Sequence, residues 1–317
     1  MSFIRRIQTL LLAGALALGL TVPALAAEYT DLSESHWAYE DMTLAADLGI
    51  IQGVGSGLMA PGTTMSWGQF LAMLTRTFAP EAYAEATDAG LAWDQAGYAA
   101  AAEAGLLREE DALPVTAEDL SGPITRQDAV VLLWRALPEN AGEDYYVWEG
   151  NKTDPSALSD WGAMDALHQG AVAALADLAL IHGKGDGSFG YADSIQRCDG
   201  TVLVMRVLNV VDACRRYEPK TITLRLVDGE TGELILPELQ AEAQVGWYLY
   251  DLPALHDLEA LDAYNYVWGT DPVTEVSTAC DTYTLHYDPK TEAEIQEDNF
   301  WNMVSQGQAS YEDYLQQ

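Results

Sequence analysis

Three short stretches of this chain share one frame: Met65-Ser66-Trp67-Gly68-Gln69, Ile124-Thr125-Arg126-Gln127-Asp128 and Ile195-Gln196-Arg197-Cys198-Asp199. Each sets an apolar residue before a polar capping residue, with Gln or Asp three positions further on. That is how a helix start reads, because the cap and the third residue answer backbone N–H groups that the first turn leaves unpaired. A chain that repeats such a start is constrained to a repeating helical architecture, since one unit alone cannot bury its apolar face.

The repeat extends beyond the helix start. The first unit opens with Tyr29-Thr30-Asp31 and His36-Trp37-Ala38. Apolar residues then return at helical spacing through Leu44, Ala45 and Leu48, and Gly49 ends that helix. A glycine-rich connector, Ile50 to Pro61, leads to a second helix capped by Ser66. A shift of 56 residues lays Trp93 on Trp37 and Gly105-Leu106-Leu107 on Gly49-Ile50-Ile51. A shift of 130 lays Leu178 to Phe189 on the first connector and Arg197 on Trp67. The second connector, Arg108 to Gly122, has lost the glycines and gained acids and three residues. The shifts predict equivalent buried places for Trp37 and Trp93, and a lengthened first helix in the third unit, where Trp161 comes six residues early. Arg76, Arg135 and Arg206 recur nine positions after each helix-opening residue and read as exposed or packing arginines.

Arg126 and Arg197 are the odd residues, since a cation in the first turn opposes the helix dipole. Beside unpaired N–H groups, an arginine fork could instead share a carboxylate or phosphate. Together with Asp31, His36-Trp37-Ala38, Gly49-Ile50-Ile51-Gln52-Gly53, Gly183-Lys184-Gly185-Asp186-Gly187-Ser188-Phe189 and Ile124-Thr125-Arg126-Gln127-Asp128, they give a chain that resembles the S-layer homology family from Glu28 to Ala213. The resemblance implies a mainly α domain of three helix-loop-helix repeats joined about a pseudo-threefold axis. It also implies a secreted, cell-wall-bound surface protein, held non-covalently by an anionic, pyruvylated secondary cell wall polysaccharide. On this resemblance the polymer contacts fall at Arg126 and Arg197, with Thr125, Asp31, Trp37, Gly185 and Asp186 completing the candidate set. Trp67, standing where an arginine is expected, reads as packing.

Residues 1–26 read as a secretory signal: Arg5 and Arg6, an apolar run from Leu10 to Leu20, and Ala24-Leu25-Ala26 before the cleavage point. No later apolar run approaches membrane-spanning length. Without that leader the chain carries 13 Lys and Arg against 49 Asp and Glu, a formal charge of −36. Such a surface argues against nucleic acid and anionic membranes. Cys198 and Cys214 lie sixteen positions apart on one expected helix, about 24 Å at 1.5 Å per residue, too far for a disulfide.

Character changes after Arg215. The reading is repeats at 28–83, 84–140 and 152–215, then a small α+β domain over 220–317. In that domain Thr221 to Val227 pairs with Glu233 to Leu236 as a hairpin, and Val245–Tyr250, Val273–Thr278 and Thr282–Tyr287 are strand candidates. Pro253 to Ala263 reads as a helix, and Thr291 with Glu294 caps a last one through Val304. The five His, at 36, 168, 182, 256 and 286, form no metal motif, and no nucleophile elbow or phosphate loop is present, so no cofactor, metal or catalytic residue is assigned. The alternatives to anchoring are a wall-targeted polysaccharide or peptidoglycan hydrolase with the last domain as catalyst, and a purely structural assembly protein.

Overall fold

The computed structural model describes residues 29–137, 154–256, 258–267, 271 and 273–305. The expected leader and the end of the second repeat lie outside the described residues. The first two-thirds is helical: α1 (Tyr39–Asp47), α2 (Trp67–Phe78), α3 (Pro80–Asp88), α4 (Trp93–Glu103), α5 (Arg126–Ala136), α6 (Ala166–Asp177) and α7 (Arg197–Cys214). After it come β1 (Pro219–Asp228), β2 (Leu239–Gln244), β3 (Tyr264–Tyr266), β4 (Thr282–Pro289) and α8 (Glu292–Ser305). The strands form one sheet in the order β2-β1-β4-β3, with β1 and β4 parallel and the outer pairs antiparallel.

The three helices that follow the repeated frame, α2, α5 and α7, touch one another and make the centre of the helical region. Their inner residues are fully buried, among them Phe70, Leu71 and Leu74 of α2, Val130 to Leu133 of α5, and Val204 and Val207 of α7. The outer helices do not pack on their own unit's inner helix. Instead α4 lies on α2, α6 on α5, and α1 on α7, so the first unit is paired with the last. Ahead of each inner helix a short extended segment meets the other two. Met65 N–H donates to Ile195 O (3.0 Å), Ile195 N–H to Ile124 O (3.2 Å), and Ile124 N–H to Met65 O (3.1 Å). This closed ring of three hydrogen bonds has the buried side chains of Met65, Ile124 and Ile195 around it.

Several expectations need correction. Trp37 and Trp93 are 61% and 50% exposed, not buried. Both stand on the solvent side at the start of a first helix, and other residues fill the interior there instead: Ala38, Met42 and Ala45 in one unit, Ala96, Ala100 and Ala101 in the other. In the third unit Trp161 is no counterpart of Trp37. It begins a short 3-10 turn, Trp161–Ala163, and α6 starts at Ala166. Helix α3, which the repeat reading lacks, opens on Pro80 at its first position, where a missing N–H costs nothing. Residues 253–263 hold two 3-10 turns, Pro253–Leu255 and Glu259–Leu261, rather than a helix. Leu252, Leu255, Leu258 and Leu261 recur every third residue, the period of a 3-10 turn, and all four pack in the sheet domain's core. The return strand of the hairpin is β2, whose inward face carries Leu239, half-buried, with Ala241 and Ala243, and Glu233 to Leu236 merely bridges to β1. Val245–Tyr250 and Val273–Thr278 run side by side through three backbone hydrogen bonds, from Gly246 N–H to Val276 O (2.7 Å), Val276 N–H to Trp247 O (2.8 Å) and Leu249 N–H to Thr274 O (2.9 Å), but form an isolated bridge at Tyr248 and Glu275 rather than strands. Cys198 and Cys214 both lie on α7, and no disulfide joins any of the three cysteines.

Candidate functional site

The ring gathers the three connectors at one end of the molecule, and each inner helix starts against the connector of another unit. Trp67 and Gly68 donate their N–H groups to Gly122 O and Leu120 O (both 2.9 Å). Arg126 and Gln127 donate to Asp193 O (2.8 Å) and Tyr191 O (3.1 Å), and Arg197 and Cys198 to Thr63 O (2.8 Å) and Pro61 O (3.0 Å). The next N–H of α2 and of α5 goes to the cap hydroxyl, Ser66 Oγ or Thr125 Oγ1 (3.3 Å each). The sequence expectation of unpaired N–H groups beside the arginines therefore does not hold. Neighbouring carbonyls take them, because the connector of the next unit folds over each helix start.

The two arginine side chains do the same with their forks. Arg197 Nε donates to Met59 O (2.9 Å), its Nη2 donates to Gln52 O, and the residue is 7% exposed. Arg126 Nη2 donates to His182 O (3.0 Å), and its guanidinium lies over the Phe189 ring, 4.8 Å from the centroid. Gln52 and His182 are equivalent positions, as are Met59 and Phe189, so the two arginines hold the first and third connectors in the same way. They differ in one respect. Arg126 Nε, like the neighbouring Gln127 Oε1, is buried with no hydrogen-bond partner. Burial is the first cause that lowers both guanidinium groups from their ordinary values. Trp67, in the corresponding place on α2, is buried and fills the position with an indole.

The connectors are pinned from the other side by carboxylates. Asp31 accepts the N–H groups of Met59 and Ala60 (2.7 Å each). Asp160 accepts those of Phe189 (2.7 Å), Gly190 (2.8 Å) and Tyr191 (3.4 Å). Loss of water alone would raise the Asp160 carboxyl, but these N–H groups together hold it below its usual range. Asp160 is thus the counterpart of Asp31, a pairing that the displaced Trp161 hides in the sequence. At the tip of the third connector Gly185 and Asp186 are exposed. Asp186 accepts Ser188 N–H (2.9 Å) and Ser188 Oγ–H (2.7 Å), which closes the turn and lowers its carboxyl. Gly53 and Gly183 begin the two turns. A Cβ on either would press on a carbonyl across the turn, Leu58 O at 2.9 Å or Ser188 O at 3.2 Å.

Residues 28–71 and 157–190 match the family model of the S-layer homology domain. These stretches are S-layer homology repeats. Domains of this family generally anchor proteins to the cell wall through its polysaccharides, which makes this a cell-wall-associated or cell-surface protein. No curated protein matches the chain. The matched repeats are the two whose connectors are rich in glycine, held by Arg197 and Arg126. The second unit, with its acidic connector, lies outside both stretches. Thr125 is committed to capping, since its hydroxyl also donates to Asp128. Asp128 in turn meets His168 Nε2 (3.1 Å), whose Nδ1 faces Asp165 (2.8 Å), so α5 is tied to α6 by a polar chain, buried at Asp128 and His168, that no sequence signal marked. Trp37 stands exposed beside His36 on the outer face. Arg76 and Arg206 reach Ile50 O (3.5 Å) and Leu180 O (3.1 Å) of their own units, and Arg135 pairs with Asp111 (2.6 Å). Among the described residues no His, Cys, Asp and Glu group could hold a metal ion, and no helix is long and apolar enough to cross a membrane.

Proposed function

We propose that the protein is anchored to the cell wall by an anionic secondary polysaccharide, and that a pyruvyl carboxylate of this polymer binds at Arg126, in the groove between the second and third units. The three units then stand about a pseudo-threefold axis, a reading supported by the closed ring at Met65, Ile124 and Ile195 and by the cyclic pairing of the helices. The observation that carries the site is the buried, unpartnered Nε of Arg126. A desolvated cation with a spare donor gains from a carboxylate what burial took from it. The chain's formal charge of −34 repels polyanions at long range, so capture must rest on such a local donor. Gly185 and Asp186 form the rim of this groove on the third connector, and Asp31 and Arg197 shape the corresponding groove at the first connector. Trp67 closes the place where a third arginine would stand.

Sedimentation with isolated walls tests the reading. Arg126→Ala is expected to weaken binding roughly ten- to a hundredfold, the equivalent of about 1.5–3 kcal/mol for a charge-assisted contact. Arg126→Lys should rescue it only in part, because an ammonium lacks the planar fork. Undiminished binding by the folded Ala variant would reject the site. Equal binding to walls stripped of pyruvate would reject the carboxylate chemistry and leave the anchoring role.

A further inference from the structure

Four tyrosines of the sheet domain stand in a row. Their ring centroids follow one another at 5.5 Å from Tyr287 to Tyr266, 6.3 Å from Tyr266 to Tyr250, and 5.4 Å from Tyr250 to Tyr248. The inner two are accounted for by packing. Tyr287 of β4 is buried, Tyr266 of β3 is its register partner, and both belong to the sheet domain's core. The outer two lie beyond that core. Leu249 between them is buried, which turns Tyr248 and Tyr250 away from the interior. Tyr248 is 44% exposed and stacks on Tyr250 with 22° between the ring planes.

Carboxylates flank this outer pair. Asp251 follows Tyr250 in the chain and is exposed, and Glu275 stands opposite Tyr248 in the bridge between the two segments. Side chains opposite each other in such a bridge are within contact reach. Neither carboxylate has a hydrogen bond or an ion pair from its side chain among the described residues. Arg216 lines the same cavity wall as Glu275, but its guanidinium lies over the Tyr217 ring instead (5.8 Å). Ring faces carry negative potential and attract cations, and two unpaired carboxylates beside them favour a cation over a neutral or anionic group. The chain's formal charge of −34 acts in the same direction at longer range.

We infer that the outer tyrosines are a docking surface for a basic polypeptide segment, whose lysine or arginine side chains stand over Tyr248 and Tyr250 and against Asp251 and Glu275. Magnitude decides for a polypeptide over a free amine. One cation over an exposed ring gains only roughly two- to fivefold in affinity. A chain bearing several cations addresses both rings and both carboxylates at once, and its contacts multiply. The surface uses no residue of the connectors, so it stands apart from the proposed anchoring.

Calorimetric titration of the full chain with octalysine, at low salt so that screening does not hide the contacts, tests this. Tyr248→Ala with Tyr250→Ala should weaken binding roughly tenfold, the product of two ring contacts. Tyr248→Phe with Tyr250→Phe keeps the ring faces and should keep the affinity. Asp251→Asn with Glu275→Gln should also weaken binding, while the same loss of charge at the exposed Glu230 and Glu233, each changed to Gln, should not. Circular dichroism checks each fold, and the amide pair with its control decides the matter if the Ala pair does not fold. Undiminished octalysine binding by the folded Ala pair, or equal losses from the two charge changes, would overturn the surface, since net charge alone would then attract the peptide. Lysine amide binding as tightly as octalysine would overturn the polypeptide. Cellohexaose binding that the Ala pair loses, with octalysine binding unchanged, would make the tyrosines a platform for neutral sugar and overturn the cation reading.

Discussion

Arg126 and Arg197 share one place in the repeated frame and reach equivalent carbonyls, yet their surroundings assign them different work. Arg197 has its fork engaged by Gln52 O and Met59 O and almost no exposure, so it is a clamp on the first connector. Arg197→Ala strands those carbonyls and should cost about 1.5–3 kcal/mol of stability, seen as a lower thermal midpoint. Arg126→Ala leaves one carbonyl, His182 O, and should cost less stability while losing more wall binding. The comparison of the two variants by melting and by sedimentation therefore separates a residue that builds a groove from one that serves it. If Arg197→Ala melts like the natural protein, its clamp role is wrong.

At the scale of elements, α4 lies so close to α2 that a Cβ at Gly97 would come within 2.6 Å of Ala72 N and 2.8 Å of its Cα. The obstacle is backbone and cannot swing away. Gly97→Ala should force the two helices apart and cost about 1–3 kcal/mol despite the better helix propensity of Ala, measurable as a shift in the denaturant midpoint. A stabilised variant would show that the helices can slide. The inner helices were legible in the sequence because their caps and apolar faces are local signals. Their partners were not. The pairing of α4 with α2, and of α1 with α7, depends on small residues such as Gly97 and Ala45 that carry no periodic signal of their own. Ala179 adopts φ 55° where Gly49 and Gly105 stand in the other units, so the glycine that ends a helix was missing from the third unit's text. The arginine sites were half legible. Their recurrence marked them, but their partners are backbone carbonyls, which leave no letter in a sequence. The sheet read poorly because β2 fully buries only two alanines and β3 is three residues long.

For the molecule as a whole, the two ends of the inner helices have different neighbours. Their starts meet at the ring and the connectors, while Phe78, Leu137 and Val211, at or near their far ends, border one cleft with Pro219, Lys220 and Val245 of the sheet domain. On the proposed reading the wall is held at one end and the sheet domain is carried at the other. The circle of helix pairs also joins the three units into a single cooperative body. A chain begun at Gly49, lacking α1, exposes the α7 face that Met42 and Ala45 cover. That loss should amount to several kcal/mol, a large share of a typical domain's stability. Circular dichroism should then show helix lost from all three units together. A clean loss confined to α1 would disprove the cooperativity. The same pairing sets an order of assembly. Synthesis delivers α1 early, and α7, its partner, about 160 positions later. Until then α1 has nothing to cover its apolar side, so the helical region closes only when α7 reaches α1. Contacts of such long sequence separation slow folding, so the pairing of α1 with α7 is the late step that completes the circle.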